Sequence, residues 1–212
     1  MRTYLFAVLA GLLFLTPAGY ASNIPDTDVS SFNFMQDIDP QIDGSLVSMV
    51  VEIPAGTTEK WEVSPETGLM AQEIKDMQPR IIKYLGYPGN YGMIPRTLLP
   101  TESGGDGDPL DILSIGAPLK RGQTARVKII GILKFLDHGE QDDKLLAVLP
   151  DTALGNLRSL AELNEQFPGI VEIIRIWFEN YKGPGEMVFQ GYGSVQDARS
   201  ILTDAYQNYS AR

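Results

Sequence analysis

Residues 104–113 read GGDGDPLDIL, which places three aspartates, Asp106, Asp108 and Asp111, within six positions, with glycines before and between them and Pro109 following Asp108. Like charges this close repel, and each would be better solvated apart. In an extended segment residues i and i+2 project to the same side, so Asp106 and Asp108 share a face. Pro109 blocks helix continuation and pushes Asp108 towards β or polyproline geometry. Asp111 then opens an apolar strand, residues 111–115 (DILSI), that holds it rigidly at a barrel mouth. Such a trio is tolerable when a hard cation neutralises it, and carboxylate oxygens without nitrogen or sulfur suit Mg²⁺, Mn²⁺ or Ca²⁺. Three readings compete: a solvated turn, a calcium loop and a metal site for phosphoryl chemistry. The calcium loop fails, because Pro109 and Leu110 interrupt its oxygen-donor pattern and its twelfth position is Ala117 rather than Glu.

Outward from this loop the chain reads as short strands. Residues 46–54 (LVSMVVEIP), 59–63 (EKWEV), 125–136 and 144–149 join 111–115 as β candidates, with turn chemistry at 64–68 (SPETG). Residues 84–92 (YLGYPGNYG) are too rich in glycine for a regular element. Short strands with long loops over residues 46–150 predict a closed barrel. Helical periodicity comes later: Phe167, Ile170, Val171, Ile174, Trp177, Phe178 and Tyr181 form one apolar stripe, started by Pro168-Gly169 and stopped by residues 183–185 (GPG). Residues 194–209 predict a second helix. The expected architecture is one domain over residues 46–212, a barrel with helices laid against it.

The 212 residues suit one core of ordinary size. With 43% hydrophobic and 21% charged residues the composition is globular. Lys and Arg number 17 against 27 Asp and Glu, a net charge of −10 that opposes nucleic acid and anionic membrane surfaces as partners. The absence of cysteine excludes thiolate catalysis, thiolate zinc sites and disulfides, and the single histidine, His138, excludes two-histidine metal sites. His138 reads as a solvated loop residue. Residues 1–21 (MRTYLFAVLAGLLFLTPAGYA) carry one early Arg, an apolar run too short to span a bilayer comfortably, and small residues ending at Ala21. They read as a secretory signal peptide cleaved after Ala21, making the mature chain periplasmic or secreted. Residues 22–45 are polar and Asp-rich and read as a loose lead-in.

The three aspartates have company. Residues 137–144 (DHGEQDDK) form a second acid-rich loop ending in lysine. Glu52 sits in a hydrophobic strand, where an unpaired carboxylate is costly. Lys60 and Glu62 present both signs on one strand face.

Together these residues resemble a family I soluble inorganic pyrophosphatase of the bacterial type. The family core, Asp-[small/polar]-Asp-[Pro/Glu]-aliphatic-Asp-aliphatic, is matched by residues 106–112 (DGDPLDI). Residues 51–54 (VEIP), Lys60-Trp61-Glu62, residues 86–92 (GYPGNYG), Asp137 with Asp142-Asp143-Lys144, and Tyr181-Lys182 match further blocks in family order. The resemblance implies an α+β, mainly β fold: an OB-like closed five-stranded barrel with extra strands and two flanking helices. It implies hydrolysis of pyrophosphate to two phosphates with several Mg²⁺ ions per site, Mn²⁺ or Zn²⁺ serving as substitutes. It also implies a homo-oligomer, a hexamer in the bacterial type. Position by position, it assigns Asp106, Asp111 and Asp142 to the first activating ion, with Asp111 reaching the second. Asp137 and Asp142 would hold a third ion that arrives with substrate, and Glu62 would stand near a fourth. Asp108 would be the general base, or share the proton of the attacking water between two metals. Lys60, Tyr91, Lys144, Tyr181 and Lys182 would grip the phosphates, with Glu52 and Tyr87 supporting from the wall. The family arginine falls on Arg80, with Lys75 and Lys83 nearby, and a lysine often found past the Tyr-Lys pair is Glu186 here.

The chemistry agrees independently. Hydrolysis of a compact tetra-anion needs charge neutralisation on both phosphates and an aligned hydroxide, which paired metals supply. The alternative is an exported, non-enzymatic divalent-cation-binding barrel. It accounts for the carboxylates but not for the lysines and tyrosines, which weaken cation binding unless an anionic substrate is present. No Gly-x-x-x-x-Gly-Lys-Ser/Thr stretch occurs, which disfavours a nucleotide hydrolase of that kind.

Overall fold

The computed structural model describes residues 32–211, so the expected signal peptide and its cleavage site lie outside the described residues. In chain order the elements are β1 (Leu46–Ile53), β2 (Trp61–Val63), β3 (Met70–Gln72), β4 (Ile74–Lys75), β5 (Gln78–Pro79), β6 (Asn90–Met93), β7 (Asp111–Ile115), β8 (Thr124–Asp137), β9 (Glu140–Gln141), β10 (Lys144–Val148), α1 (Leu160–Gln166), α2 (Ile170–Asn180), β11 (Met187–Gly193) and α3 (Val195–Ser210). The fold is sheet-dominated α+β.

A seven-stranded sheet runs β1-β6-β7-β10-β8-β11, with β9 paired to β8. β8 pairs in addition with β1, Leu46 opposite Lys128 through Val50 opposite Thr124, so the hydrogen-bonded path leads from β1 back to β1. All these pairings are antiparallel except β7 with β10. β1 is buried on both sides. Val47, Met49 and Val51 join Ile112, Val127 and Leu145 in a cluster closed by Ala198, Leu202 and Ala205 of α3. Val50 instead packs with Phe34 and Met35. A second cluster, with Leu113, Phe135 and Leu146, is covered by Val171, Ile174, Trp177 and Phe178 of α2. Each of those large side chains contributes about 1.5–3 kcal/mol through the apolar surface it removes from water.

Four expectations change. Residues 32–45, expected within the loose lead-in, are packed: Phe34, Met35 and Ile38 are buried against Val50, Val63 and Met93, because their apolar side chains cover an otherwise exposed apolar face of the sheet. Residues 90–93 form a strand despite their glycine. Gly92 is needed there, since a Cβ on it would lie 1.8 Å from the Val50 carbonyl oxygen of β1. The apolar stripe does not lie on one helix: Phe167 is the C-cap of α1, and α2 begins at Ile170 after Gly169 in the left-handed region (φ 92°). There are thus three helices among the described residues rather than two, α1 being a short one capped by Ser159, whose hydroxyl accepts from Glu162 N–H. α3 forms close to its expected bounds, with Ser194 and Asp197 making a reciprocal capping box.

Asn90 ties the back of β6 to two loops. Its Oδ1 accepts from the backbone N–H of Ala55 (3.2 Å) and of Leu119 (2.8 Å), and its Nδ2 donates to the Ala117 carbonyl (2.9 Å). The residue is wholly buried, so Asn90→Ala leaves three backbone groups without their side-chain partner and opens a cavity behind β6. The expected loss is about 2–4 kcal/mol, read as a lower thermal midpoint and an earlier urea transition.

Candidate active site

Strand register sets the site. In the parallel β7–β10 pair Leu145 lies opposite Ile112, so the residues one step earlier, Lys144 and Asp111, open the two strands side by side. Lys144 Nζ contacts both Asp111 and Asp142, the latter two residues upstream on the same side. β6 lies against the other edge of β7, with Tyr91 opposite Leu113. In β1, Val51 pairs with Gly92 but Ile53 pairs with Tyr91, so Glu52 is the extra residue of a β-bulge. Bulges re-aim a side chain. Glu52 is 4% exposed, and its Oε1 accepts from Val63 N–H at 2.7 Å, binding β2 to β1. That bond brings in Lys60 and Glu62, themselves 3.2 Å apart.

The aspartate loop folds on itself. Asp106 Oδ1 accepts from Asp108 N–H (2.9 Å), while Gly107 N–H donates to the Leu99 carbonyl (2.8 Å) and Leu99 N–H to the Asp108 carbonyl (2.9 Å). Gly107 takes φ 87°, which favours glycine. α2 delivers the remaining wall: Tyr181, its C-cap, stacks on Trp177 (ring centroids 4.7 Å, 12° between planes), and Lys182 follows.

These elements enclose a cavity of about 340 Å³. Glu52, Lys60, Glu62, Arg80, Tyr91, Asp106, Asp108, Asp111, Asp137, Asp142, Lys144, Tyr181 and Lys182 all line it. Of the residues expected at the site, Tyr87 alone stands behind the wall, its ring 5.1 Å from Tyr91 and 6.2 Å from Tyr181. The lining also includes Glu73, which carried no signal in the sequence. Both its carboxylate oxygens accept from Arg80 Nη1, at 2.8 and 2.6 Å. The link follows from backbone bonds through the β4–β5 hairpin (Arg80 N–H to Glu73 carbonyl, 2.8 Å), a local pairing that no spacing rule reveals.

The lining contains eight carboxylates and four cationic side chains. The cations are spoken for: Lys144 by Asp111 and Asp142, Lys182 by Asp137, Arg80 by Glu73 and Lys60 by Glu62. Burial would lower the Lys144 ammonium, yet Asp111 and Asp142 hold it well above the usual lysine range. Against the upward push of partial burial, Lys182 and His138 hold the Asp137 carboxyl low. The carboxyls left over move the other way. Burial, reinforced by the charges of Asp106, Asp111 and Glu62, pushes Asp108 up to about 7. Asp106 is raised by burial and by Asp111 and Asp142. Glu52 reaches about 8 through burial, although Lys60 opposes the shift. The tyrosine hydroxyls of Tyr91 and Tyr181 are raised well above their usual range by burial.

Among the described residues no three carboxylate or imidazole groups stand as a ready-made coordination shell, because lysines occupy the spaces between the aspartates. The donor chemistry nevertheless fits hard divalent cations, because every acidic donor on the lining is a carboxylate oxygen.

The same chain has well-defined relatives. The family model for inorganic pyrophosphatase matches residues 49–210. An inorganic pyrophosphatase of Drosophila melanogaster is 31% identical over 184 residues, covering 77% of this chain but 54% of that protein, so this chain spans about half the length of that relative. An inorganic pyrophosphatase of Haemophilus influenzae is 33% identical over 187 residues, covering 85% of this chain and 99% of the other. Among solved structures, the N-terminally truncated vacuolar soluble pyrophosphatase of Trypanosoma cruzi in complex with PPi superposes with a TM-score of 0.74 at 25% identity, covering 83% of this chain and 73% of that one. By sequence match across most of its described length and by fold, the chain belongs to the family I soluble inorganic pyrophosphatases.

Proposed function

We propose that this protein hydrolyses inorganic pyrophosphate to two phosphates. The observation that carries the reading is the charge imbalance of the cavity, eight carboxylates against four cationic side chains that are already paired. As it stands such a cavity repels pyrophosphate, and divalent cations turn it into a site for a polyanion. Family membership and the PPi held by the Trypanosoma cruzi relative support the substrate. A cation-binding protein without a substrate leaves the convergence of Lys60, Arg80, Lys144 and Lys182 unexplained. The circuit of pairings β1-β6-β7-β10-β8-β1 supports reading the scaffold as a closed, OB-like five-stranded barrel with its mouth at the site.

Asp106, Asp111 and Asp142 are the residues to hold a first activating Mg²⁺, with Asp111 reaching a second, Asp137 and Asp142 holding a third and Glu62 near a fourth. When bound, these ions neutralise charge and acidify water. Asp108 takes the proton of the attacking water, a task suited to a carboxyl whose proton affinity lies near neutrality. The new bond joins water oxygen to one phosphorus, and the bridging oxygen departs with the other phosphate. Lys60, Arg80, Tyr91, Lys144, Tyr181 and Lys182 bind the phosphate oxygens, the lysines exchanging carboxylate partners for substrate. Glu52 and Tyr87 hold the wall. Export with cleavage after Ala21 and assembly into a homo-oligomer, a hexamer in the bacterial type, complete the proposal. α2 leaves Ile173 and Ile176 exposed on its outer face, which supports assembly.

Phosphate release from pyrophosphate by the purified chain, active with Mg²⁺ and abolished by EDTA, tests the activity. A folded chain inert with Mg²⁺ would refute it. Asp106→Asn should weaken activation by Mg²⁺ and recover in part at high Mg²⁺. Asp108→Asn should leave metal activation nearer normal while turnover falls by roughly 10²–10⁴, the worth of a positioned general base. Coinciding metal titrations of the two variants would show that both are merely ligands. Intact mass of the protein from the extracytoplasmic fraction should correspond to a chain beginning at Ser22, and a Met1 form confined to cytoplasm would overturn export.

A further inference from the structure

His138 is not an ordinary solvated loop residue. It occupies the turn between β8 and β9, where Asp137 pairs with Glu140, and both turn residues take positive φ, 52° at His138 and 95° at Gly139. Hairpins of this two-residue kind fix the direction of their side chains tightly. His138 Nδ1 lies 2.8 Å from Asp137 Oδ1, and its Nε2 lies 2.8 Å from Glu186 Oε2. The second contact follows from register: Met187 of β11 pairs with Asp137 of β8, so Glu186, one residue earlier, stands opposite His138. Asp137 is gripped on its other oxygen by Lys182. The four side chains form one line, Glu186 to His138 to Asp137 to Lys182, of which the last two line the cavity.

An exposed ion pair is ordinarily worth little, and the His138 side chain is 71% exposed. What distinguishes this one is that both ring nitrogens are engaged and both partners are placed by backbone pairing. We infer that His138 is a positioning residue for Asp137, and that Glu186, at a place where the family often has lysine, serves to hold the imidazole rather than to meet substrate. Groups that orient a ligand through its outer hydrogen bond commonly matter to affinity nearly as much as the ligand itself. The inference rests on the reading that Asp137 holds the cation arriving with pyrophosphate. The effect of His138 should therefore fall on binding of the cation–substrate pair and leave the chemical step alone.

Glycine suits the left-handed turn position, so His138→Gly removes the ring without straining the hairpin. Asparagine also tolerates that region and places an amide donor near the position of Nδ1. The measurement is calorimetric affinity for methylenediphosphonate with Mg²⁺, together with KM and kcat for pyrophosphate and the thermal midpoint. His138→Gly should weaken analogue binding and raise KM by about tenfold, with kcat within about twofold of wild type. His138→Asn should recover most of the loss, and Glu186→Gln should fall between wild type and His138→Gly. Three results would overturn the inference: affinity and KM unchanged in His138→Gly, a loss in kcat instead, or His138→Asn as impaired as His138→Gly at the same thermal midpoint. A wild-type chain that neither binds the analogue nor hydrolyses pyrophosphate would overturn the reading of the site, and this inference with it. Wild-type binding with an unaffected His138→Gly would overturn the positioning alone.

Discussion

Strand β8 has fourteen residues and must satisfy two rows of backbone hydrogen bonds with four different partners. Its first part lies on β1, its middle on β10, and its last part on β11 and β9. An unpaired backbone group in this interior would be expensive, so the bends and register of β8 dictate where every neighbouring strand begins. The site depends on those beginnings. β10 opens with Lys144, and β7, in parallel register with it, opens with Asp111. The far end of β8 supplies Asp137, and its pairing with β11 sets Glu186 against the turn that follows.

Electrostatics then works against the fold it is built on. Gathering eight carboxylates around one cavity raises the charge density where solvent is least able to relieve it. Part of the repulsion is relieved by lysines lodged between aspartates, and part by carboxyls such as Asp108 holding their protons to higher pH. Lys144, lodged between Asp111 and Asp142, is the most buried case of such relief. Tyr91 and Tyr181 line the cavity, and Tyr87 and Trp177 pack against them from behind.

Much of this was legible beforehand because it rests on short-range rules. The Asp106–Asp108–Asp111 spacing, the proline between them, and the lysines and tyrosines in ordered blocks pointed to the family and to side chains that the fold brings to one cavity. Strands with strong apolar character, such as β1, β8 and β10, were visible, as was the capped helix α3. What escaped was decided by tertiary contacts. β6 is a strand because β1 and β7 flank it with unpaired backbone, although its glycine-rich sequence argues otherwise. β11 (MVFQGYG) alternates in burial but not in residue type, with two glycines and consecutive apolar residues, and α1 is only seven residues long with one buried side chain, Leu163. Phe34 and Met35 are buried because Val50 and Met93 present an apolar face to them, a surface that exists only after β1 and β6 have paired.

The sequence by itself determined the chemistry: oxygen donors without thiols, a single imidazole, and cationic side chains numerous enough to meet a polyanion. Residue type fixes donor type and hardness before any folding, whereas proton affinity is reset by the fold, as burial does at Asp108 and Glu52. Only the tertiary structure decided which partner each group has. Glu73 holds Arg80, Glu52 turns inward at a bulge to hold β2, and His138 bridges Asp137 and Glu186, residues 49 positions apart in the chain. Such pairings depend on strand register, which is set by the apolar faces that distant strands bury together and by the turns between them, and so is resolved only when the sheet assembles.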